Sequence, residues 1–541
     1  MKKWSVVLIL GSAQFVMVLD GTVMNVSIST VVADLGTTVS ALQAAITFYT
    51  LTMAAVMLLG AKLGDRWGRR RAFVIGSLVY AVGSLTTALA PNFLFLFVGW
   101  SVIEGLGAVL VIPAIAALVA ENYRGSDRVK AYAIVGAISG AAVAAGPLLG
   151  GFVTTYLSWR YVFVGEVVIM IAVALLSPMI TERSTPQRVR IDAPSVLLSA
   201  IGLVLVVFGM LQSKTWGWVV PVSSPVIGGV EIAPLGISLT AWLVTVGVIV
   251  LWAFLRRQRS LVASQRDPLI HVEMLSIRQL RSGLSVLGAQ YAVTAGLFFM
   301  IPIYLQMTLG LDALQTGLRI FPLSVSLILF SIVGTLLSRR WSPRRIVRVG
   351  QFTLVASALL LLGAVTEDLR GVLFAVGMFL AGAALGLLAS QLGNVNMSSV
   401  TEEATSEVGG LQGVSQNLGS SLGTALIGSL LIAALSSSFA GGVASSTLPA
   451  EVQAEVSART EGGVAIVPSS SVTEIATKAG LSEQDAGELS GIYSASQLSS
   501  LRTAFFGLIA ISLAALLFSR GIPTDVPTRA RSRVGKARDD A

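Results

Sequence analysis

Apolar stretches of about twenty residues recur from one end of this chain to the other, and a helix of that length spans roughly 30 Å of hydrocarbon. The stretches are uninterrupted and rich in Gly and Ala, where a membrane β-strand would alternate, so the expected fold is an all-α polytopic membrane protein. Composition agrees. Of 541 residues, 54% are hydrophobic and only 12% charged, about half the charged share of a soluble chain. Too little polar surface remains to clothe a water-soluble globule of this size.

Fourteen spans are read, near residues 4–30, 41–60, 72–90, 93–119, 131–153, 161–180, 194–211, 237–255, 283–307, 316–338, 349–365, 371–393, 408–434 and 501–519. Lys2 and Lys3 ahead of the first span give it the look of a secretory signal. It is too long for one and carries Asp20, so it is read as a retained helix. The chain has no cysteine, which excludes a disulfide framework, a thiol nucleophile and a Cys-rich metal site.

A net charge of +9 raises nucleic acid as a partner, and the distribution of that charge argues against it. With the N-terminus placed in the cytoplasm, all but seven of the 37 lysines and arginines fall on the cytoplasmic side. They gather in Lys62 to Arg71, Arg256 to Arg281, Arg339 to Arg348 and the tail from Arg520. A miscounted span would invert every later loop and erase this bias, so it supports about fourteen crossings with both termini cytoplasmic. The basic charge is therefore topogenic, with weak attraction to anionic lipid.

Basic segments also bracket spans seven and eight. The chain divides into an N-terminal six-helix bundle (1–190), an inserted helix pair (191–260), a C-terminal six-helix bundle (261–520) and a tail (521–541) expected to be disordered. The outer loop 436–500 is rich in Ser, Ala, Gly and Glu, and reads either as a passive spacer or as a lid or partner site. Ser482 to Asp485 has capping-box spacing, which suggests a short surface helix there.

Asp20 stands well inside an otherwise apolar helix, where a charge costs about 2.5 to 3.5 kcal/mol on insertion scales. Such an acid needs a cavity, a partner or a proton; it either binds and releases protons or is locked in a structural hydrogen-bond network. Glu104 in span four and Glu166 in span six are the other acids placed deep in the membrane. Counting residues from the outer ends puts Glu104 near mid-depth and Asp20 and Glu166 in the outer half, where the three could form a hydrated cluster reachable from outside. Each glutamate is read as a titrating site or a structural tie.

The turn after span two, Ala61-Lys62-Leu63-Gly64-Asp65-Arg66-Trp67-Gly68-Arg69-Arg70-Arg71, combines glycines for a tight reversal with an acid that can pair with arginine. Asp65, Arg66 and Arg69 are candidates for a conformational latch; the alternative is a plain positive-inside anchor. In span five, Gly136, Gly140 and Ala144 precede Gly146-Pro147-Leu148-Leu149-Gly150-Gly151. Gly146, Pro147, Gly150 and Gly151 form a candidate hinge, since small residues let helices approach and proline bends them. Gly382 to Gly386 and Gly419 to Gly423 are read as packing.

In this order, these segments resemble the fourteen-helix drug:proton antiporter branch of the major facilitator superfamily, over nearly the whole chain. Asp20, Thr22 and Asn25 are similar to that branch's first-helix motif, Gly64 to Arg70 to the superfamily's loop signature, and Gly146 to Gly151 to its antiporter motif. Trp159-Arg160, Phe163, Tyr304-Leu305-Gln306, Leu309-Gly310, Gln315, Gly317, Pro322 and Gly409 to Gly423 also resemble family positions. There are departures. Ala61 replaces a glycine, Ser101 and Glu104 stand where the fourth-helix motif has arginine and glutamine, and Glu166 stands where asparagine is common. The arginine's coupling role is not carried over, and Glu104 and Glu166 supply acids in its absence.

The resemblance implies two bundles rocking about a central site in the bacterial cytoplasmic membrane, exporting hydrophobic or cationic drug-like compounds in exchange for protons. It implies no cofactor beyond the proton gradient, no metal, membrane lipid as surroundings and a monomer. Asp20, Glu104 and Glu166 are the candidates for proton coupling or for a cationic substrate. Met17, Met24, Asn25, Trp100, Tyr291, Phe298, Phe299 and Tyr304 are candidates for the binding surface. An exporter of lipids or another hydrophobic metabolite is the alternative. A membrane enzyme is remote, because the Gly-x-Ser-x-Gly pattern at Gly419 to Gly423 lies inside an apolar span and the only histidine, His271, is in a cytoplasmic loop. A sensor or channel has no visible motif behind it.

Overall fold

The structure is a computed structural model that describes residues 2–182, 190–221, 224–227, 230–400, 405–460 and 464–525. The first span is α1 (Lys2–Val26), broken at Ser27 from a short α2 (Ile28–Asp34). Then come α3 (Val39–Trp67), capped by Thr38, and α4 (Arg69–Ala88). The fourth span combines α5 (Phe93–Leu96), a π-helical segment Phe97–Glu104 and α6 (Gly105–Asn122). Next, α7 (Gly125–Tyr156) bends by 42° between Ile134–Val143 and Ala145–Tyr156. Pro147 is the physical cause, because its ring crowds the carbonyl four residues earlier, at Val143. α8 (Arg160–Leu176) follows.

The inserted pair is α9 (Ala193–Trp216), capped by Asp192, and α10 (Leu239–Ala263). Between them Val226–Ile227 pairs with Val230–Glu231, the only β ladder among the described residues. The chain continues through α11 (Arg278–Ile303), a π-helical turn Tyr304–Thr308, α12 (Ala313–Leu337) with an Asp312/Gln315 capping box, α13 (Pro343–Ala364) and α14 (Gly371–Met397). The last helices are α15 (Thr405–Ala444), α16 (Ala450–Thr460), α17 (Ser469–Lys478) and α18 (Glu483–Phe518). Thirteen helical spans among the described residues are long and apolar enough to cross a bilayer, and the bent α7 makes fourteen.

In the first half α1 lies against α7 and α8, α4 against α6 and α8, and α3 against α6. In the second α11 lies against α15 and α18, and α14 against α12 and α13. Two seams join the halves, α3 with α15 and α7 with α12. The inserted pair is not a free appendage. α9 rests on both α3 and α15, burying Leu203, Val207 and Leu211 with Leu51, Ala55 and Ala425, while Ser429 donates to the Met210 carbonyl at 3.2 Å. One seam is thereby covered by the inserted pair.

The segment 436–500 is largely helical rather than loop. α15 runs on to Ala444, α18 begins at Glu483, and α16 and α17 lie between. Ser482 accepts from the Asp485 amide at 3.1 Å, so the capping signal starts the last span instead of a short surface helix. Phe439 meets Tyr493 edge to face at 5.9 Å, and the Tyr493 hydroxyl donates to Ala465 at 3.0 Å while accepting from Val467 at 2.9 Å. The result is a folded cap. Its side of the bundle is here the cap face, and the side of the α3–α4 turn the basic face. On the basic face residues 521–525 are tied down, since Arg344 Nε donates to the Ile522 carbonyl at 2.7 Å and the Gly521 amide to Ser282 at 3.1 Å. The rest of the expected disordered tail, 526–541, lies outside the described residues.

Candidate functional site

Along α4, Ser77, Tyr80, Ser84 and Thr87 are all fully buried; their spacing puts them on one face of the helix. Glycines bring the fourth span onto that face. A Cβ at Gly83 would lie 2.5 Å from the Glu104 amide nitrogen, and one at Gly107 2.5 Å from that of Tyr80. The π-helical segment ends on Glu104, a kind of insertion common at functional sites because it re-aims the side chains after it.

Three carboxylates meet there. Ser84 Oγ lies 2.9 Å from Glu104 Oε2 and 3.2 Å from Glu166 Oε2. Trp100 Nε1 donates to both oxygens of Asp20, at 2.9 and 3.0 Å, and its ring stacks on Tyr49 at 4.9 Å. One oxygen from each acid lies within 4.8 Å of the others. Asp20 and Glu166 are 1% exposed and Glu104 not at all. No lysine, arginine or histidine pairs with any of the three among the described residues.

The structure thus brings together the acids that the sequence could only place on separate helices, and it corrects their setting. They are sealed, where a hydrated cluster reachable from outside was expected. Enclosed among α1, α4, the fourth span and α8, they leave no room for an organic cation in this conformation. An oxygen-only donor set suits protons or a hard metal cation. Ser84 favours protons, because its hydroxyl sits within hydrogen-bond distance of two carboxylates at once.

Several binding-surface candidates have other occupations. Trp100 holds Asp20 and is 1% exposed. Tyr304 is buried and donates to the Thr366 carbonyl at 2.9 Å, which makes it a tie to the α13–α14 turn. Phe299 packs 3.0 Å from a Cβ position at Gly428. Asn25 donates to the Gly21 carbonyl at 2.6 Å and leaves its own Oδ1 buried without a partner. Met17, Met24 and Phe298 lie in the buried core, and Tyr291 is half-buried against it.

On the basic face, Arg69 bridges Asp65 at 3.4 Å and Glu121, at the end of α6, at 3.0 Å. Glu182 caps the turn from the other side, accepting from the Arg70 amide at 3.2 Å. Gly68, at φ 95°, is required there, since a Cβ would lie 2.6 Å from Glu182 Oε1. Arg66 is exposed. The turn is thus bound within its own half.

The hinge glycines divide between two neighbours. Added Cβ atoms at Gly146 and Gly150 would strike Thr22 and Val23 of α1, and one at Gly151 would lie 2.5 Å from the Ala313 carbonyl of α12. Reciprocally, one at Gly317 would lie 2.2 Å from the Pro147 carbonyl. Gly382 and Gly386 fit against Leu323 and Leu327, and Gly419 and Gly423 against Gly288 and Ala292, which is packing. Ser421 donates to the Thr47 carbonyl at 3.1 Å, so the Gly-x-Ser-x-Gly pattern builds a seam.

Gln306 joins the halves at the break after α1. Its Nε2 donates to Val26 at 2.6 Å and its Oε1 accepts from the Ser29 amide at 3.1 Å. Nearby, Asp34 pairs with Arg160 and accepts from Trp159 Nε1 at 3.0 Å. Partial burial raises this carboxyl, and those two donors outweigh it, leaving it below its usual range. The sequence reading missed Ser84, Tyr80, Tyr49, Glu121 and Glu182 as site residues. For the α4 pair the polar row in an otherwise apolar span was the available signal; for Glu121 and Glu182 there was none.

A family model described as Major Facilitator Superfamily matches residues 10–424. The chain is 32% identical over 368 residues to a puromycin resistance protein of Streptomyces alboniger, covering 68% of each. It is 26% identical over 420 residues to a tetracenomycin C resistance and export protein of Streptomyces glaucescens, covering 76% of this chain and 72% of that one. Among solved structures, a bacterial homologue of the human lysosomal transporter Spinster superposes with a TM-score of 0.60 at 15% identity, over 96% of this chain and 98% of the other. That likeness carries the fold alone. The chain belongs to the Major Facilitator Superfamily and is a multi-pass transporter of the bacterial cell membrane, not an enzyme.

Proposed function

We propose that this transporter exports small, largely apolar or cationic antibiotic-type molecules from the cytoplasm in exchange for protons, by alternating access between its two halves. The relatives named for resistance and export supply the substrate class. The positive-inside bias supports placing the basic face and both termini in the cytoplasm and the cap outside. In this reading Asp20, Glu104 and Glu166 carry the protons, Asp65 and Arg69 latch the first half, and the Gly146 to Gly151 stretch is the bearing surface against α1 and α12. The protein works as a monomer with no cofactor.

The observation that carries the proposal is the sealed trio without a cationic partner. Three negative charges that close in a dry site repel strongly, so the site exists in this form only with protons bound. An energy source that delivers protons to one side then has somewhere to act. The test is transport by purified protein in liposomes, with puromycin and tetracenomycin C among the substrates and with pH and voltage gradients imposed separately. Asp20→Asn is expected to abolish pH-driven efflux while the protein stays folded; undiminished efflux would sink the role of the trio.

A further inference from the structure

We infer that Ser84 is a proton-transfer residue, linking Glu104 and Glu166 into one unit that shares a proton. This rests on the proton-coupling reading of the trio, which it extends to a residue and a step. Ser84 Oγ is within hydrogen-bond distance of both glutamates, at 2.9 and 3.2 Å, but a hydroxyl has one hydrogen and can donate to only one of them. The other contact is a hydrogen bond only if that glutamate is itself protonated and donates to the serine oxygen. One proton therefore resides in the pair in this conformation.

The remaining atoms support the assignment. Asp20 takes a different donor, the Trp100 indole, at both oxygens, which sets it apart from the pair. Glu104 Oε1, Glu166 Oε1 and the Tyr80 hydroxyl are buried without hydrogen-bond partners. The titratable groups facing the pair are Asp20 from α1, Tyr49 from α3 and Tyr80 from α4, with no basic residue among them.

The step balances within the three residues. As Glu104 gives its carboxyl proton to Ser84 Oγ, the serine gives its own hydroxyl proton to Glu166. One O–H bond breaks and one forms at the serine, and the net result moves a proton from Glu104 to Glu166; the reverse runs equally well. Movement of α4 against the fourth span or α8 would lengthen one contact and leave the proton on the other acid. Ser84 thereby turns a helix displacement into a choice of proton site.

Two readouts test this, one of them independent of transport. Infrared difference spectra of the purified full chain are expected to show the carbonyl stretch of a protonated, buried carboxylic acid at neutral pH. That band should shift in Ser84→Ala, vanish in the Glu104→Gln/Glu166→Gln double variant, and match the parent in Ser84→Thr, which keeps the hydroxyl. In liposomes, pH-driven flux should fall at least tenfold in Ser84→Ala and recover to within about threefold in Ser84→Thr. Absence of the band in the parent, or a Ser84→Ala spectrum and flux like the parent's, would overturn the inference. So would a threonine variant as impaired as the alanine one, which would mean that size rather than the hydroxyl matters. Failure of pH-driven flux in the parent with the band and its Ser84 dependence intact would fall on the proposed transport cycle alone.

Discussion

Replacing Gly317 by alanine should pry the α7–α12 seam open. The added Cβ would sit 2.2 Å from the Pro147 carbonyl oxygen and 2.8 Å from its carbon, against a main chain with no side-chain rotamer to yield. Ordinary van der Waals contact needs more than an ångström of extra separation. Forcing one methyl into a packed site costs about 1–3 kcal/mol, and only the conformation in which α7 and α12 touch bears that cost. The closed seam should therefore lose population relative to the open one by about 5- to 150-fold. The chain has no cysteine, so spin labels at Tyr156→Cys and Phe321→Cys can be attached without background. Gly165→Ala, where nothing lies within 4 Å of the new Cβ, is the matched control. Longer distances in Gly317→Ala, with the control unchanged, are expected. Identical distance distributions in the two variants would refute the idea that this glycine contact holds the halves together.

The same chemistry makes other outcomes measurable. Gln306→Leu removes two contacts between the halves and strands the buried Val26 carbonyl and the part-buried Ser29 amide; a loss of about 1–3 kcal/mol for the buried carbonyl should lower the apparent melting temperature and lengthen distances on the cap face. Gly83→Ala should destabilise the purified protein, because its Cβ meets the Glu104 backbone, whereas Gly165→Ala should stabilise it slightly through helix propensity; equal shifts would contradict the packing described for α4. At Asp192, the Arg257 guanidinium 2.7 Å away holds the carboxyl well below its usual range. Since the depressed group is the folded one, its stabilisation is present above about pH 4 and lost as the pH falls further. Arg257→Ala should thus lower the melting temperature at pH 7, with the difference narrowing below pH 4; a constant difference would assign the effect to packing alone.

Much of the scaffold was legible because bilayer physics writes itself along the chain. The length of each apolar run and the side on which arginines cluster are local properties, and they predicted about fourteen helical spans. The bend in α7 was equally local, since Pro147 must disturb the turn before it. Segment 436–500, read from its composition as an outer loop with a helix near Ser482, holds α16 and α17 and the ends of α15 and α18, which form a polar helical cap outside the apolar runs. Trp100 and Tyr304 look like aromatic binding surface in sequence, and only their partners show that one clasps Asp20 and the other ties the π-helical turn after α11 to the α13–α14 turn.

The sequence by itself determined that the chain spans a membrane, how often, and that Asp20, Glu104 and Glu166 are costly enough there to demand a purpose. It could not determine that the three share one sealed site. They are 84 and 62 residues apart along the chain, and their meeting depends on Gly83 and Gly107 admitting the fourth span to α4, and on a π-helical segment turning Glu104 toward Ser84. Desolvation cost is a property of one residue in one environment and can be read locally. Proximity belongs to the packing of four helices, and only the tertiary structure decides it.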